Sequence, residues 1–226
     1  MLIESNLNNI QIKERFNFDF FLVKRAINEF FSDKIKLPVF IHFDGRLGNR
    51  SSTVVARNTL RSFSRATENK KLLLERNMSL KFLEESENYY THHNLSFYSH
   101  IKISSLKIAK EINSVNYMKY WNAKEFYTEE SFEKNINLCC FLHIIAHELG
   151  HTIQDLPFIQ DGVVKFLSYR VKFNKIISEN NTEMSYNLES FSKYHLRRFS
   201  EIDAECFARE FGPVMVEYYL ENNDVH

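Results

Sequence analysis

Residues 138–151 read LCCFLHIIAHELGH, and this stretch contains the strongest feature of the sequence. Apolar residues recur through it at helical spacing, so the pattern predicts a buried helix. The residues that carry the pattern are Leu138, Phe141, Leu142, Ile144, Ile145 and Leu149. Thr128 and Ser131 are upstream residues at which such a helix would begin, because hydroxyl side chains cap helix N-termini. The polar groups near its end are tolerated in so apolar a helix only when a partner satisfies them.

Those polar groups form the sequence HELGH at residues 147–151. Residues four apart share a helix face, so the imidazoles of His147 and His151 point the same way and can bind one Zn²⁺. Glu148 lies one residue further round, where its carboxylate reaches a water on the metal. This spacing predicts a zinc centre with two histidine ligands and with Glu148 beside a metal-bound water. The alternative is that all three are ordinary polar residues, satisfied in the core or paired at the surface.

A catalytic zinc ion takes three protein ligands and leaves one position open for water. The extended motif of the metzincins is absent, because Gln154 and Pro157 stand where that motif has Gly and His. Asp155 and Asp161 follow closely and are candidates for the third ligand, although neither belongs to a recognisable local motif.

A second set of candidates lies in residues 200–208, which read SEIDAECFA. Glu201 and Glu205 are four residues apart and share one face of a helix. One carboxylate can therefore bind the metal while the other accepts a hydrogen bond from a ligating histidine and fixes its tautomer. The competing interpretation is an ordinary solvated acidic face, since Asp203 and Glu210 are also acidic.

The two motifs, HELGH with Gln154 and the string from Glu201 to Ala208, resemble the HExxH zinc peptidases of the gluzincin type. They are similar to two bacterial patterns. The neutral zinc metallopeptidase family has H-E-x-G-H-x-x-Q and E-x-x-A-D-C-[FY]-A, and the ImmA/IrrE-like family has H-E-L-G-H and E-x-x-A-N-x-F-A. The resemblance covers only about 30 residues of the chain.

This resemblance implies a zincin-like fold and the zinc-dependent hydrolysis of a protein or peptide substrate. It implies that His147, His151 and Glu201 bind the zinc and that Glu148 acts as general base and acid. Glu205 occupies the place from which such peptidases orient a ligating histidine. The two families have Asp or Asn at that place, so the chain departs from their pattern there.

Several polar residues near the motifs are candidates for supporting roles. His143 lies one turn before the HELGH motif and would either line the cleft or pack near the start of the helix. Tyr186, Tyr194 and His195 lie between the motifs, and their side chains are of types that stabilise the oxyanion formed when a carbonyl becomes tetrahedral.

The first half of the chain gives a mixed pattern. We predict a helix over residues 19–31 and a strand over residues 36–43, followed by a loop over residues 44–52 and a short strand over residues 53–56. A long helix over residues 67–90 and a strand over residues 95–103 come next. The last strand is expected at the edge of the sheet, where an extended peptide could be added to it.

From Ser131 onward the pattern is helical, with breaks predicted at Pro157, Gly162 and the Gly212–Pro213 pair. We therefore predict a single α+β, mainly helical, zincin-like domain over residues 1–226. Residues 1–126 would form an α+β lobe with a small sheet, and residues 127–226 a helical metal-binding part.

The composition excludes some classes of protein. The 226 residues include 29 Lys and Arg and 29 Asp and Glu, a balance that argues against general binding to nucleic acids or to anionic membranes. No signal peptide or transmembrane helix is evident. The three cysteines cannot form a paired disulfide framework, and the adjacent Cys139 and Cys140 suit core packing. The expected compartment is a cytoplasm, either of the producing cell or of a cell that receives the protein.

Basic residues are concentrated in residues 44–81, which hold nine Lys and Arg against three Asp and Glu. Arg57, Arg61 and Arg65 are spaced so that on a helix they would form one basic stripe. Such a stripe is usually a solvated face, but it could also dock an acidic partner. Two alternatives to a cellular peptidase follow: a zinc-binding regulatory module that uses this stripe, and a delivered protease toxin or effector.

Overall fold

The computed structural model describes residues 1–45, 56–62, 78–88, 97–160 and 199–223. These residues contain four strands: β1 (Ile3–Ser5), β2 (Val39–Asp44), β3 (Ala56–Ser62) and β4 (Phe97–Ser104). The helices of the described ranges are α1 (Asn9–Phe16), α2 (Phe20–Phe31), α3 (Leu80–Asn88), α4 (Ser105–Ile108), α5 (Glu111–Tyr120), α6 (Glu129–Lys134), α7 (Ile136–Gln160) and α8 (Phe199–Asn223), together with a 3₁₀ turn at Lys124–Phe126. The described chain is therefore α+β and mostly helical, as predicted.

The four strands form one sheet in the order β1-β2-β4-β3. Strands β1, β2 and β4 are parallel, and β3 pairs antiparallel with β4. The strand predicted over residues 95–103 is present as β4, but it lies inside the sheet between β2 and β3. The prediction that it is an edge strand is therefore wrong. Its alternating pattern could not show this, because it reports which residues are buried and not which strands lie on either side.

Strand β3 also corrects the interpretation of the arginine spacing. Arg57 and Arg61 lie on β3, paired in register with Lys102 and Tyr98 of β4, and not on a helix. Pairing with β4 supplies the backbone hydrogen bonds, and such tertiary context overrides local spacing. Arg65 lies outside the described residues. So do residues 46–55, which contain most of the predicted loop and of the strand predicted over residues 53–56.

The predicted N-terminal helix and strand are confirmed as α2 and β2. The Asp19 carboxylate caps α2 by accepting hydrogen bonds from the backbone N–H groups of Phe21 and Leu22. The helix predicted over residues 67–90 is described only from residue 78 to residue 88, and it begins at Leu80. Ser79 sets this boundary, because its hydroxyl accepts from the backbone N–H of Phe82 at 3.0 Å.

Two long helices dominate the described part of the second half of the chain. Thr128 caps the short helix α6, and the helix with the HELGH motif begins separately at Ile136. The start predicted near Thr128 or Ser131 therefore belongs to a different helix. Helix α8 continues through Pro213, and α7 continues to Gln160 through the break predicted at Pro157. Gly162 lies outside the described residues.

The continuation of α8 past Pro213 has a packing explanation. A proline inside a helix costs about 3 kcal/mol. Residues on both sides of it are nevertheless buried in the core: Phe211, Met215, Val216 and Tyr219. Fully burying an apolar side chain of this size contributes about 1.5–3 kcal/mol, so the packing of several such residues exceeds the local penalty.

A single hydrophobic cluster connects the two halves of the described chain, from Ile3 in β1 to Tyr219 in α8. The Tyr219 hydroxyl also accepts a hydrogen bond of 2.7 Å from the backbone N–H of Asp19, which joins α8 to the start of α2. None of the described helices is both long enough and apolar enough to cross a membrane.

Candidate metal centre

Helices α7 and α8 bring three predicted ligands to one point. Glu201 Oε2 lies 3.3 Å from His147 Nε2 and 3.5 Å from His151 Nε2. One ligand atom from each of the three residues falls within 4.8 Å of the others. Among the described residues, no other group of three or more His, Cys, Asp or Glu side chains converges in this way. The arrangement offers two imidazole nitrogens and one carboxylate oxygen to a single ion.

The close approach of the two helices depends on Gly150, the glycine of the HELGH motif. A Cβ atom at this position would lie 3.0 Å from Ala204 Cα and 3.2 Å from the side chain of Phe207. The absence of a side chain therefore lets α8 lie against α7 at the level of the site. Ala204, itself fully buried, is three residues from Glu201 on α8.

The other ring nitrogen of each histidine has its own acceptor. His147 Nδ1 lies 3.3 Å from Glu205 Oε2, and His151 Nδ1 lies 3.0 Å from Gln154 Oε1. A neutral imidazole that donates from Nδ1 keeps a lone pair on Nε2. Both rings are thus held with Nε2 facing Glu201, which is the orientation a metal ligand needs.

The electrostatics of the site follow from burial and from close charged pairs. Burial acts to lower the pKa of His147, but hydrogen bonds to Glu201 and Glu205 outweigh it and raise the pKa to about 9. The pKa of His151 is also raised, by Glu201, against the effect of burial. For Glu205, burial acts to raise the pKa, while hydrogen bonds from His143 and His147 lower it to about 2. The site therefore concentrates negative charge around two imidazoles, as a cation site does.

Glu148 is buried and lies one residue round the helix from His147. Its negative charge is close enough to raise the pKa of both His147 and His151. Its backbone carbonyl accepts a hydrogen bond of 3.4 Å from the Thr152 hydroxyl, and that hydroxyl also lies 2.9 Å from Ser99 of β4. The sheet and the HELGH helix are thus joined by side chains directly beside the site.

Three of the remaining candidates for the third ligand are described, and they lie outside the converging group. Asp155 is buried on α7 but does not belong to the converging group, and Asp203 is exposed on α8. Glu205 faces the Nδ1 side of His147, away from the point where the two Nε2 atoms meet. Asp161 lies outside the described residues, as do the candidate oxyanion residues: Tyr186, Tyr194 and His195.

Three residues contact the site in ways that the sequence did not predict. His143 is fully buried, and it packs between the Tyr127 hydroxyl and the Glu205 carboxylate instead of lining an open cleft. Arg209 contacts Glu205, and the Trp121 ring lies against His147 with centroids 4.8 Å apart. The spacing of the residues in the sequence could have indicated some of these contacts. His143 precedes His147 by four residues and Arg209 follows Glu205 by four, so each pair shares a helix face.

The chain matches no protein-family model, and comparisons with curated proteins and with solved structures give no match either. The likeness to zinc peptidases therefore rests on the residues of the two motifs.

Proposed function

We propose that the protein is a zinc-dependent peptidase. The observation that carries the proposal is the convergence of His147 Nε2, His151 Nε2 and a Glu201 oxygen, with Glu148 on the same helix as the two histidines. The residues of the two motifs resemble those of HExxH peptidases. Helical spacing accounts for the histidine pair, and the packing of α8 on α7 accounts for the carboxylate.

The donor set fits Zn²⁺ on chemical grounds. Two imidazoles and one carboxylate make a three-residue set of the kind that catalytic zinc sites use, with one position left for water. The second nitrogen of each imidazole is bound by an acceptor, Glu205 or Gln154, which is the usual supporting arrangement around zinc-binding histidines. An N₂O set of this kind also favours zinc over magnesium or calcium, which prefer oxygen ligands.

In the proposed reaction, His147, His151 and Glu201 would hold a zinc ion, which would lower the pKa of a bound water and polarise the peptide carbonyl. Glu148 accepts the proton from the attacking water and transfers it to the leaving amine. Glu205 and Gln154 keep the two imidazoles turned toward the metal while charge develops. The reaction breaks the C–N bond of the peptide and adds the elements of water across it.

The sheet suggests where an extended substrate would lie. Among the described strands, β3 pairs on one side only, with β4, and α7 lies close beside it. An extended peptide added to β3 would run alongside the HELGH helix, with its backbone held by strand hydrogen bonds. We propose β3 for this role in place of the strand expected from the sequence.

The proposal is tested by metal analysis and by one isosteric substitution. We expect about one Zn²⁺ per chain, removable by chelators, and cleavage of peptides in a complex peptide library read by mass spectrometry. Glu148→Gln should keep the zinc and lose at least about 10²–10⁴-fold in rate, because proton transfer alone contributes that much. Glu210→Gln, at an exposed position of α8, is the matched control.

Two results would contradict the proposal. Purified protein that contains no transition metal and takes up none on reconstitution would remove the metal centre. Unchanged cleavage by the Glu148→Gln protein would remove the mechanism even if zinc were present.

The assignment of the third ligand needs its own measurement. Glu201→Ala should remove a zinc bond and sharply weaken zinc affinity, whereas Glu205→Ala should weaken it by about 10–100-fold, because Glu205 acts through His147. Ala variants at Asp155, Asp161 and Asp203 should bind zinc like wild type. If Glu201→Ala bound zinc normally while one of the other four did not, the ligand assignment would be wrong.

A further inference from the structure

The carboxylate of Glu205 receives more contacts than the support of one histidine requires. Its oxygens lie 3.3 Å from His147 Nδ1, 3.2 Å from His143 Nε2 and 3.0 Å from Arg209 Nε. All four side chains belong to α7 or α8, and Glu205 and His143 are buried. Three nitrogen donors therefore fix one carboxylate at the level of the metal centre.

The direction of each hydrogen bond follows from chemistry. An ionised carboxylate only accepts, so each of the three nitrogens that face Glu205 must carry its proton on that side. His143 then donates from Nε2, and its Nδ1 lies 3.1 Å from the Tyr127 hydroxyl, which can donate to it. The result is a directed chain from Tyr127 through His143 to Glu205, with His147 donating to the same carboxylate from the other side.

Arg209 joins two supports of the same imidazole. Its Nε donates to Glu205, and its Nη2 donates to the backbone carbonyl of Trp121 at 3.0 Å. The Trp121 ring lies against the His147 ring, with centroids 4.8 Å apart. One guanidinium thus fixes both the carboxylate that holds the edge of His147 and the aromatic residue that packs against it. A rigid fork with five N–H donors suits this double role, and a lysine ammonium does not.

We propose that His143 and Arg209 are positioning residues, which hold the Glu205 carboxylate against Nδ1 of His147 so that Nε2 of His147 stays available to a metal. The inference rests on the proposed metal centre. It adds two residues that lie outside both motifs and outside the group of three proposed ligands. Their action passes entirely through Glu205 and Trp121.

A purely structural role would give these residues the same burial and the same contacts. The two roles differ in what the imidazole of His147 does when the contacts are removed. Under the proposal, loss of either residue frees the carboxylate, His147 loses its fixed tautomer, and zinc affinity falls. If the residues only stabilised the fold, stability would fall while tautomer and affinity stayed unchanged.

The test uses the full chain with the substitutions His143→Leu, His143→Gln, Arg209→Met and Arg209→Lys. The Gln side chain keeps an N–H for Glu205 and an oxygen for Tyr127, and Lys keeps the charge without the fork. Ser114→Ala is the control, because it removes a partly buried hydrogen bond of 2.9 Å to Asn137 of α7, and neither residue belongs to the contacts of Glu205 described above. Urea unfolding of each variant measures the change in stability, and the partly exposed side chain of Arg209 makes its variants the safer pair for folding.

Two readouts decide the question. Zinc dissociation constants are measured by competition with a chromophoric chelator. The position of the ring proton of His147 is read from ¹⁵N chemical shifts along a pH titration of the metal-free protein, at the alkaline end where the imidazole carries one proton.

We expect His143→Leu and Arg209→Met to weaken zinc binding by about 10–100-fold and to give a mixture of His147 tautomers. His143→Gln should recover most of the affinity, Arg209→Lys should recover little, and Ser114→Ala should bind zinc like wild type. Folded His143→Leu and Arg209→Met proteins with normal zinc affinity and an unchanged His147 tautomer would overturn the proposal. If wild-type protein bound no zinc, the proposed function would fail. The tautomer measurement would then still decide whether the two residues orient His147.

Discussion

Replacement of Gly150 by alanine tests how strongly the proposed metal centre depends on the contact between the two long helices. The new Cβ would lie 3.0 Å from Ala204 Cα and 3.2 Å from two carbon atoms of Phe207. Ordinary contacts to a Cβ atom begin at about 3.4 Å, so the neighbours must move by a few tenths of an ångström. The nearest neighbour is a backbone atom of α8, which cannot rotate away as a flexible side chain can. Helix α8 must therefore shift relative to α7.

Two opposing effects set the size of the change in stability. Alanine gains about 1 kcal/mol over glycine in a helix interior. Overpacking of a well-packed contact costs about 1–3 kcal/mol. The expected net result is a destabilisation of about 1 kcal/mol, which is small compared with the stability of a typical domain. The protein should therefore remain folded.

The effect on the metal should be larger than the effect on folding. Glu201 lies on the same helix as Ala204, and its oxygen must stay in reach of Nε2 of both His147 and His151. Metal–ligand distances tolerate only about 0.2 Å of error, so a shift of a few tenths of an ångström misplaces the carboxylate. A loss of about 1.4 kcal/mol in binding corresponds to about tenfold in the dissociation constant, and we expect a weakening of at least that size.

The assay combines urea unfolding with zinc competition titrations on the same preparations. Gly45→Ala is the control, since its new Cβ would meet Ser105 Oγ at 3.7 Å, an ordinary contact distance. A Gly150→Ala protein that is more stable than wild type and binds zinc equally well would refute the argument. It would show that the two helices have room at this point.

Three further predictions concern other parts of the fold. In folded protein, Cys206 should react with a thiol reagent much faster than Cys139 and Cys140. Cys206 is exposed, whereas burial raises the pKa of the other two thiols to about 12. Mass spectrometry of alkylated peptides measures the labelling, and equal labelling of the three cysteines would contradict the prediction. Ser99→Ala should lower stability by about 0.5–1.5 kcal/mol through loss of the 2.9 Å hydrogen bond to Thr152, a loss that urea unfolding detects; an unchanged midpoint would show that the bond contributes nothing. Zinc at about 100 times its dissociation constant should stabilise the protein by about 2.7 kcal/mol, and a chelator should reverse this stabilisation in a thermal melt. A melting temperature that does not respond to zinc would count against a zinc site in the native state.

The sequence predicted those parts of the site that depend on local geometry. His147 and His151 share a helix face because of their spacing, and this requires no knowledge of the rest of the chain. The same reasoning placed Glu201 and Glu205 on one face of another helix. That Glu201 faces the histidines, while Glu205 meets His147 from the opposite side, depends on how α8 packs on α7. Only the resemblance to known motifs suggested that division of roles before the structure.

The order and pairing of the strands in the sheet could not be predicted from the sequence. The apolar runs that become β2 and β4 were predicted as strands, but nothing in them indicates that Val39 pairs in parallel with Ser99. Strand order is decided by contacts between segments far apart in the chain, so the edge position was assigned to the wrong strand. The break predicted at Pro213 is wrong for a related reason. Its local penalty is visible in the sequence, whereas the core that outweighs it is assembled from several elements.

The position of Glu205 depends both on the local sequence pattern and on contacts between distant parts of the chain. It is the position at which the chain departs from the resembled motifs, which have Asp or Asn. A glutamate has one more rotatable bond than an aspartate, so more side-chain entropy is lost when its carboxylate is fixed. His143 and Arg209, two residues that the motifs do not include, supply the additional hydrogen bonds that restrict it. The longer side chain and its three nitrogen donors therefore form one arrangement, in which the hydrogen bonds offset the entropy lost by the side chain.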